Sequence, residues 1–379
     1  MKKLHHFNTL ILGVFLAITV TSSVAPSVAF GDAIESYPIL EALQSSGKVL
    51  YSDTTDWMEK WRGMDLELTD TYRFPKISGS TSVNFKIKRF DEKGSTAMGL
   101  FLASNSSGNP TTELAYFNMS AILGWDAIFR PAARYELGPK AREEALELMK
   151  STTLTEPQQI KNEQNIINLI TTGNPLLGCV KAEKDSTNAA ADVMADTHMG
   201  NNGGPNFSFP VIASLQIANP APVKGQSVEL IPGYVGDAYQ LAQEYSVIMI
   251  LDAVFQQGDR YSGGNVVIRK VGDEAHFYST DNGGAYVRED SSSVTVQLPW
   301  FSRYDRKTID GLREINQFLL NPEKGFLGYD DSANFVADLG LYFQLTPAQF
   351  APLLQRNIQL VLDRVDSVVA QYGDSAYLD

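Results

Sequence analysis

The chain has almost none of the cysteine and histidine on which thiol and metal chemistry most often rests. Its 379 residues include one cysteine, Cys179, and four histidines, His5, His6, His198 and His276. A single cysteine excludes an intramolecular disulfide, so the fold has to stand on its hydrophobic core. No histidine-rich metal site forms from four histidines of which two lie in the first six residues. Cys179 sits in the apolar run Leu176-Leu177-Gly178-Cys179-Val180 with no histidine near it, the setting of a buried inert thiol. His276 reads as a surface residue of a hairpin. Basic residues are also in the minority, 31 Lys and Arg against 44 Asp and Glu, for a formal charge of −13. Such a surface repels nucleic acid and anionic headgroups, and neither is expected as the main partner.

Long hydrophobic runs are absent except at the start. Lys2 and Lys3 precede the apolar stretch Leu10 to Val20, and a small-residue stretch, Thr21 to Ala29, follows. This order is that of a secretory signal peptide, residues 1–29, with cleavage expected after Ala29 at Ser27-Val28-Ala29. The apolar run is too short to favour a membrane span. The mature chain is then expected to be secreted or periplasmic, with no stable membrane insertion after cleavage. Loss of Lys2 and Lys3, the only Lys or Arg before residue 30, takes the charge from −13 to about −15.

An apolar content of 44% over this length suffices for a large core in one bilobal unit or two modest domains. From Lys48 to about Ser104 the pattern is strand-like. Ser82 to Phe90 alternates polar and apolar residues, Asp91-Glu92-Lys93-Gly94 reads as a turn, and Ala97 to Leu102 supplies a second strand. A helix is expected from Thr111 or Thr112, either of which can cap it, to Gly124. Residues 138–184 read mostly as helices. Ser186 to Gly204 reads as a loop, Phe209 to Ala218 as a buried strand, and Val235 to Phe255 as a strong helix. From Lys307 onward the chain is again helical, with Leu312, Ile315, Phe318 and Leu319 on one stripe and Leu354, Ile358, Val361, Leu362, Val365 and Val368 on another. The expected class is α+β, with an N-terminal region at 30–212 that contains a helical insertion and a C-terminal region at 213–379.

The richest chemistry lies between Leu251 and Tyr286. Asp259 follows Gly258 just after a helix, Asn265 opens the strand Val266-Val267-Ile268, and Asp281 follows the strand Ala275 to Tyr278. A turn at Gly272-Asp273 would bring Asn265 and Asp281 close enough to share a divalent ion, and such oxygen ligands suit Mg²⁺ or Mn²⁺. A carboxylate that orients a hydroxyl, then an amide oxygen and a second carboxylate, is a set that phosphoryl transfer uses. The same letters also serve as plain turn residues at hairpin ends. Arg260 stands where it can hold the loop or a phosphate. Asp252 shares the helix with core residues and reads as a structural, hydrogen-bonding carboxylate.

Leu251-Asp252 through Gly258-Asp259-Arg260, then Asn265, then Thr280-Asp281-Asn282-Gly283 resembles the catalytic block of atypical kinases: phosphatidylinositol 3/4-kinases, HipA-type kinases and the secretory-pathway casein kinases of the Golgi. Three further blocks occur in the same order. Gly79-Ser80-Thr81 with Phe85-Lys86-Ile87-Lys88 is similar to the phosphate loop, Thr112-Glu113-Leu114 to the regulatory helix, and Ala213-Ser214-Leu215-Gln216 to the strand entering the adenine-binding hinge. The resemblance implies a bilobal protein-kinase-like fold, with a small β-rich N-lobe bearing one regulatory helix and a larger, mainly helical C-lobe. It makes Asp259 the catalytic aspartate and Asn265 and Asp281 metal ligands. Glu113 becomes the partner of a strand lysine, and Gly79, Ser80, Thr81, Lys86, Lys88 and Gln216 become nucleotide contacts. ATP would be the donor, Mg²⁺ or Mn²⁺ the metal, and a hydroxyl of a protein or small molecule the acceptor.

The chain departs from that pattern in two places. The strand lysine should fall near Leu102, yet no lysine lies between Gly94 and Glu113. Lys86 or Lys88 on the neighbouring strand could reach in from the same face. Asn265 lies six residues after Asp259 where five are usual, and Tyr261 stands in place of a histidine. Two expectations therefore stand side by side: an exported kinase, or a secreted pseudokinase that binds nucleotide or a protein partner without turnover.

Overall fold

A two-residue turn sets up the first sheet. Asp91 Oδ1 accepts the Lys93 amide at 2.8 Å and Gly94 takes a φ of 129°, which reverses the chain between β2 (Asn84–Asp91) and β3 (Gly94–Ala103). The computed structural model describes residues 34, 36–74, 83–103, 109–174, 176–182, 192–193, 200–201, 204–258, 260, 265–285, 287 and 297–379. All belong to one compact unit, Asp32–Asp379. The hairpin is joined by β1 (Tyr72–Arg73), β4 (Ala132–Leu137) and β5 (Leu176–Lys181) into a five-stranded antiparallel sheet in the order β1-β2-β3-β5-β4. The chain is thus a mixed α+β protein. The expected signal peptide lies outside the described residues, and among those described no helix is long and apolar enough to cross a membrane.

Pairing partners in an antiparallel sheet point to the same side. Lys86 opposes Leu100, which opposes Lys181; Asn84 opposes Leu102, which opposes Cys179. All six residues therefore share one face, and Phe85, Ile87, Phe101 and Val180 pack the other. Helix α3 (Thr111–Leu123) covers the first face, where the Cys179 thiol donates to the Pro110 carbonyl at 3.0 Å. All thirteen residues of α3 are buried, and Gly124, with a φ of 78°, ends it. Thr111 and Thr112 do not cap it: Pro110 is the N-cap, and both hydroxyls donate elsewhere, to Asn109 and to the Asn282 carbonyl.

Three segments differ from the sequence expectation. Ser52–Trp61, inside the stretch read as strand-like, is helix α2, following α1 (Pro38–Ser45). Its buried residues, Thr54, Met58 and Trp61, fall on one helical stripe. The region read as mostly helical does contain α4 (Pro139–Ser151) and α5 (Pro157–Thr171), but it ends in strand β5. Gly178 permits that strand, because a β-carbon there would lie 2.1 Å from the Leu102 carbonyl oxygen across the ladder. Phe209 to Ala218 is no strand. Pro210 fixes a helical φ after an extended Phe209 and opens the single-turn helix α6 (Pro210–Ala213).

Short strand pieces, β6 (Asp192–Val193), β7 (Gly200–Asn201) and β8 (Gly204–Pro205), precede α6, and the hairpin β9 (Ser227–Ile231) and β10 (Tyr234–Asp237) follows it. Asp237 then caps α7 (Ala238–Phe255) by accepting the Gln240 amide at 2.8 Å. Fifteen of the eighteen α7 residues are buried, so it is a core helix rather than an amphipathic one. The expected hairpin is present as β11 (Val266–Val271) and β12 (Glu274–Ser279), turning at Gly272. Beyond the parallel pair β13 (Tyr304–Asp305) and β14 (Tyr377–Leu378), the C-terminal region consists of α8 (Arg306–Leu320), α9 (Ser332–Leu339) and α10 (Pro347–Tyr372). The α10 stripe from Leu354 to Val368 is buried as its spacing requires, as are Leu312, Ile315 and Phe318 of α8, whereas Leu319 is half-buried.

Candidate functional site

The site is built around a buried ion pair on the α7 side. Arg260 grips the Asp252 carboxylate with two parallel bonds, Nε to Oδ2 at 2.8 Å and Nη2 to Oδ1 at 2.7 Å, and neither side chain is exposed to solvent. Its remaining donors go to the Asn265 carbonyl at 2.6 Å, the Thr280 carbonyl at 3.0 Å and Asn282 Oδ1 at 2.8 Å. Burial lowers the guanidinium pKa, but the charge and hydrogen bonds of Asp252 together with the charges of Tyr116 and Glu113 outweigh it and leave Arg260 firmly protonated. Tyr116 on α3 adds its hydroxyl to Asp252 Oδ1 at 2.9 Å, and burial together with that carboxylate pushes the phenol well above its ordinary value. Arg260 thus directs its guanidinium bonds to the loop and hairpin ends around it, and Asp252 is the structural carboxylate that its helix position suggests.

The second half lies across the face of the five-stranded sheet. Glu113, in the first turn of α3, is 1% exposed and forms an ion pair with Lys181 at the end of β5. The other Glu113 oxygen, Oε2, accepts from Asn282 Nδ2 at 3.1 Å. Thus Lys181, Glu113, Asn282, Arg260 and Asp252 form one continuous buried polar chain from β5 to α7. Cys179, two residues before Lys181 on the same face, has its thiol pushed up, first by burial and then by the charge of Glu113. Leu102 is apolar and buried, and the ammonium paired with Glu113 comes from the adjacent strand, from Lys181. Its signal in the sequence is a lone lysine closing the apolar run Leu176 to Val180, which is uninformative while that run is read as helix.

The hairpin brings together the residues expected at its ends. The Thr280 amide donates to the Asn265 carbonyl at 3.0 Å, with Asp281 next in the chain. Asn265 is 6% exposed, whereas Asp281 is exposed and adopts a left-handed backbone, φ 53° and ψ 57°. A β-carbon placed on Gly283 would lie 4.0 Å from both Asp281 Oδ1 and Glu113 Oε1, so the two carboxylates border one space and are at most twice that distance apart. Carboxylate oxygens of this kind suit Mg²⁺, which takes one or two carboxylates and retains water. Among the described residues no three His, Cys, Asp or Glu side chains cluster as a metal site.

The other sequence assignments fall as follows. Asp259, and Gly79, Ser80 and Thr81 of the expected phosphate loop, lie outside the described residues. Lys86 shares the sheet face of Lys181, two strands away, and Lys88 follows it beyond a bulge between Ile87 and Lys88; both are half-buried. Gln216 is not on a strand: its side chain donates to the Trp300 carbonyl and accepts from Asn219, both at 3.2 Å, in a turn that Arg303 also holds. His276 is not a free surface residue, since Nδ1 lies 2.7 Å from Oε1 of the buried Glu244 on α7. No protein-family model matches the chain, and no curated protein matches it.

Proposed function

We propose that the protein is an exported atypical kinase with a bilobal protein-kinase-like fold, transferring phosphate from a nucleoside triphosphate to a hydroxyl of a protein or small molecule. The observation that supports this best is the Lys181–Glu113 ion pair, joined through Asn282 to the turn that carries Asp281. Phosphoryl transfer needs little covalent help from the protein but needs fixed positive charge and fixed geometry around the phosphates. Lys181 supplies an ammonium whose direction Glu113 sets. Asp281 and Asn265 would hold Mg²⁺ or Mn²⁺, which when bound offsets the charge of the transferring phosphate. Asp259 would orient the acceptor hydroxyl. The leader-like N-terminus favours a secreted or periplasmic location, which in turn requires a nucleotide source outside the cytoplasm or delivery onward.

A nucleotide-binding module without turnover is the second reading. It is favoured by the burial of the Lys181 side chain, only 6% exposed, which spends its charge on Glu113. Incubation with γ-labelled ATP and Mn²⁺ separates the two, because only the kinase transfers label, to itself or to an added acceptor. Both require nucleotide binding. Mn²⁺ with ATP is expected to raise the melting temperature of the wild type, and Asp281→Ala is expected to abolish that rise. An undiminished rise in the variant would overturn the assignment of Asp281.

A further inference from the structure

Both polar atoms of the Asn282 side chain are engaged, and each engages a different part of the site. Nδ2 donates to Glu113 Oε2 at 3.1 Å, while Oδ1 accepts from Arg260 Nη2 and from Ser279 Oγ, each at 2.8 Å. Its backbone carbonyl accepts the Thr112 hydroxyl at 2.8 Å, and the residue is 1% exposed. The residue before it, Asp281, holds a left-handed backbone, a conformation that Asp visits more readily than most residues with a β-carbon and that its surroundings here hold in place. Those surroundings are explicit. Gln257 Nε2 donates to the Asp281 carbonyl at 3.1 Å, and the Asn109 amide donates to the Gly283 carbonyl at 2.9 Å, so backbone bonds seat the turn on both sides of Asn282, whose side chain adds the link to Glu113.

We propose that Asn282 is the positioning residue of the site: it locks the Asp281 turn to the Glu113–Lys181 pair, so that the Asp281 carboxylate and the Lys181 ammonium keep a fixed register. The inference rests on the kinase reading for the purpose of that register, but not for the existence of the lock. An amide is what this position requires. One arm must donate to a carboxylate and the other must accept from a guanidinium and a hydroxyl, and no other side chain of this size does both. Leucine would leave three buried groups unpaired. Aspartate would keep the bonds from Arg260 and Ser279 but set a second carboxylate against Glu113 Oε2, which favours a shared proton between the two even with Arg260 on one and Lys181 on the other.

That difference supplies the test. Wild type, Asn282→Asp and Asn282→Ala are compared in the full chain by thermal melting, without ligand and with Mn²⁺ and ATP, at about pH 6 and about pH 8.5. These values bracket the range into which a proton-sharing pair is raised. Asn282→Ala is expected to weaken binding roughly 10- to 100-fold relative to wild type at both pH values, the usual effect of deleting a bond to a buried charge. Asn282→Asp is expected to bind within about 3-fold of wild type at the lower pH and at least ~10-fold more weakly at the higher, as the shared proton leaves. A merely structural role would lower the ligand-free melting temperature of both variants yet leave binding of Mn²⁺ and ATP within about 3-fold of wild type at both pH values, and that result overturns the proposal. Without ligand, the melting deficit of Asn282→Asp should itself grow with pH, and a flat deficit also refutes the lock. Should wild type fail to bind nucleotide while this ligand-free signature is present, the kinase reading falls and the lock stands.

Discussion

Removal of the Asp252 carboxylate is the sharpest perturbation of the frame that carries the site. Asp252 and Arg260 have no side-chain exposure, and the guanidinium makes two of its five bonds to Asp252. The other three go to two carbonyls and an amide oxygen, none of which carries a formal charge. Asp252→Ala therefore leaves a buried cation with no counter-charge in direct contact. Breaking a buried pair from one side typically destabilises by about 3–5 kcal/mol, against a total of roughly 5–15 kcal/mol for a folded protein. Urea unfolding at neutral pH should show the midpoint falling by a corresponding fraction, with an unchanged slope if the fold is retained. Because Arg260 also gathers the carbonyls of Asn265 and Thr280, the same variant should lose the stabilisation by Mn²⁺ and ATP. A loss below about 1 kcal/mol would refute the reasoning, since that is the worth of a solvent-exposed pair and would mean that water reaches Arg260. The exposed Arg313–Asp366 pair is the internal comparison, and Asp366→Ala should fall in that lower range.

Two further outcomes follow from separate parts of the molecule. The His276 pKa is raised from 6.5, chiefly by its hydrogen bond to Glu244 and against the effect of burial. A group whose folded pKa is raised contributes stability that is complete below the unfolded pKa and is lost as pH rises through the folded one. Unfolding free energy should therefore fall as pH climbs from about 6.5, and Glu244→Gln should flatten the profile; an unaltered profile in that variant would exclude the pair as the cause. Gly340 has a φ of 119°, and a β-carbon there would meet the Ala115 amide nitrogen at 2.9 Å and the Thr111 carbonyl oxygen at 3.0 Å. Gly340→Ala is expected to destabilise by about 1–3 kcal/mol in a denaturant titration, whereas a change within 0.5 kcal/mol would show that α3 can yield.

The elements that sequence periodicity identified are those whose pattern is local. The β2–β3 and β11–β12 hairpins announce themselves by short alternating or apolar runs on either side of a turn containing Gly94 or Gly272, and α10 by apolar residues at helical spacing. Two segments were misread for a shared reason. Leu176–Lys181 is short and almost wholly apolar, so period alone cannot separate a buried strand from a buried helix. Pro210 begins a helical turn as readily as it interrupts a strand, and Val211 and Ile212 look alike in either state. Within the site, Asp252 is recognisable as structural because a charged side chain among the apolar residues 247–251 and 253–255 needs a buried partner. The identity of that partner, Arg260, depended on how the chain returns after Phe255.

What the sequence by itself determined is the inventory: a chain without an intramolecular disulfide, with a net negative charge, hairpins at fixed turns, a core helix ending near Phe255, and an Asp281-Asn282-Gly283 turn just past a strand. What only the tertiary structure decided is which of these residues meet. Lys181 and Glu113 are 68 positions apart, and Glu113 and Asn282 are 169 apart. Neither pairing has a local signature, because it arises from the order of β3 and β5 in the sheet and from the way α3 packs over their shared face. Hydrophobic periodicity reports which side of an element is buried; it carries no information about which polar side chains will be buried together, and that pairing defines the candidate site.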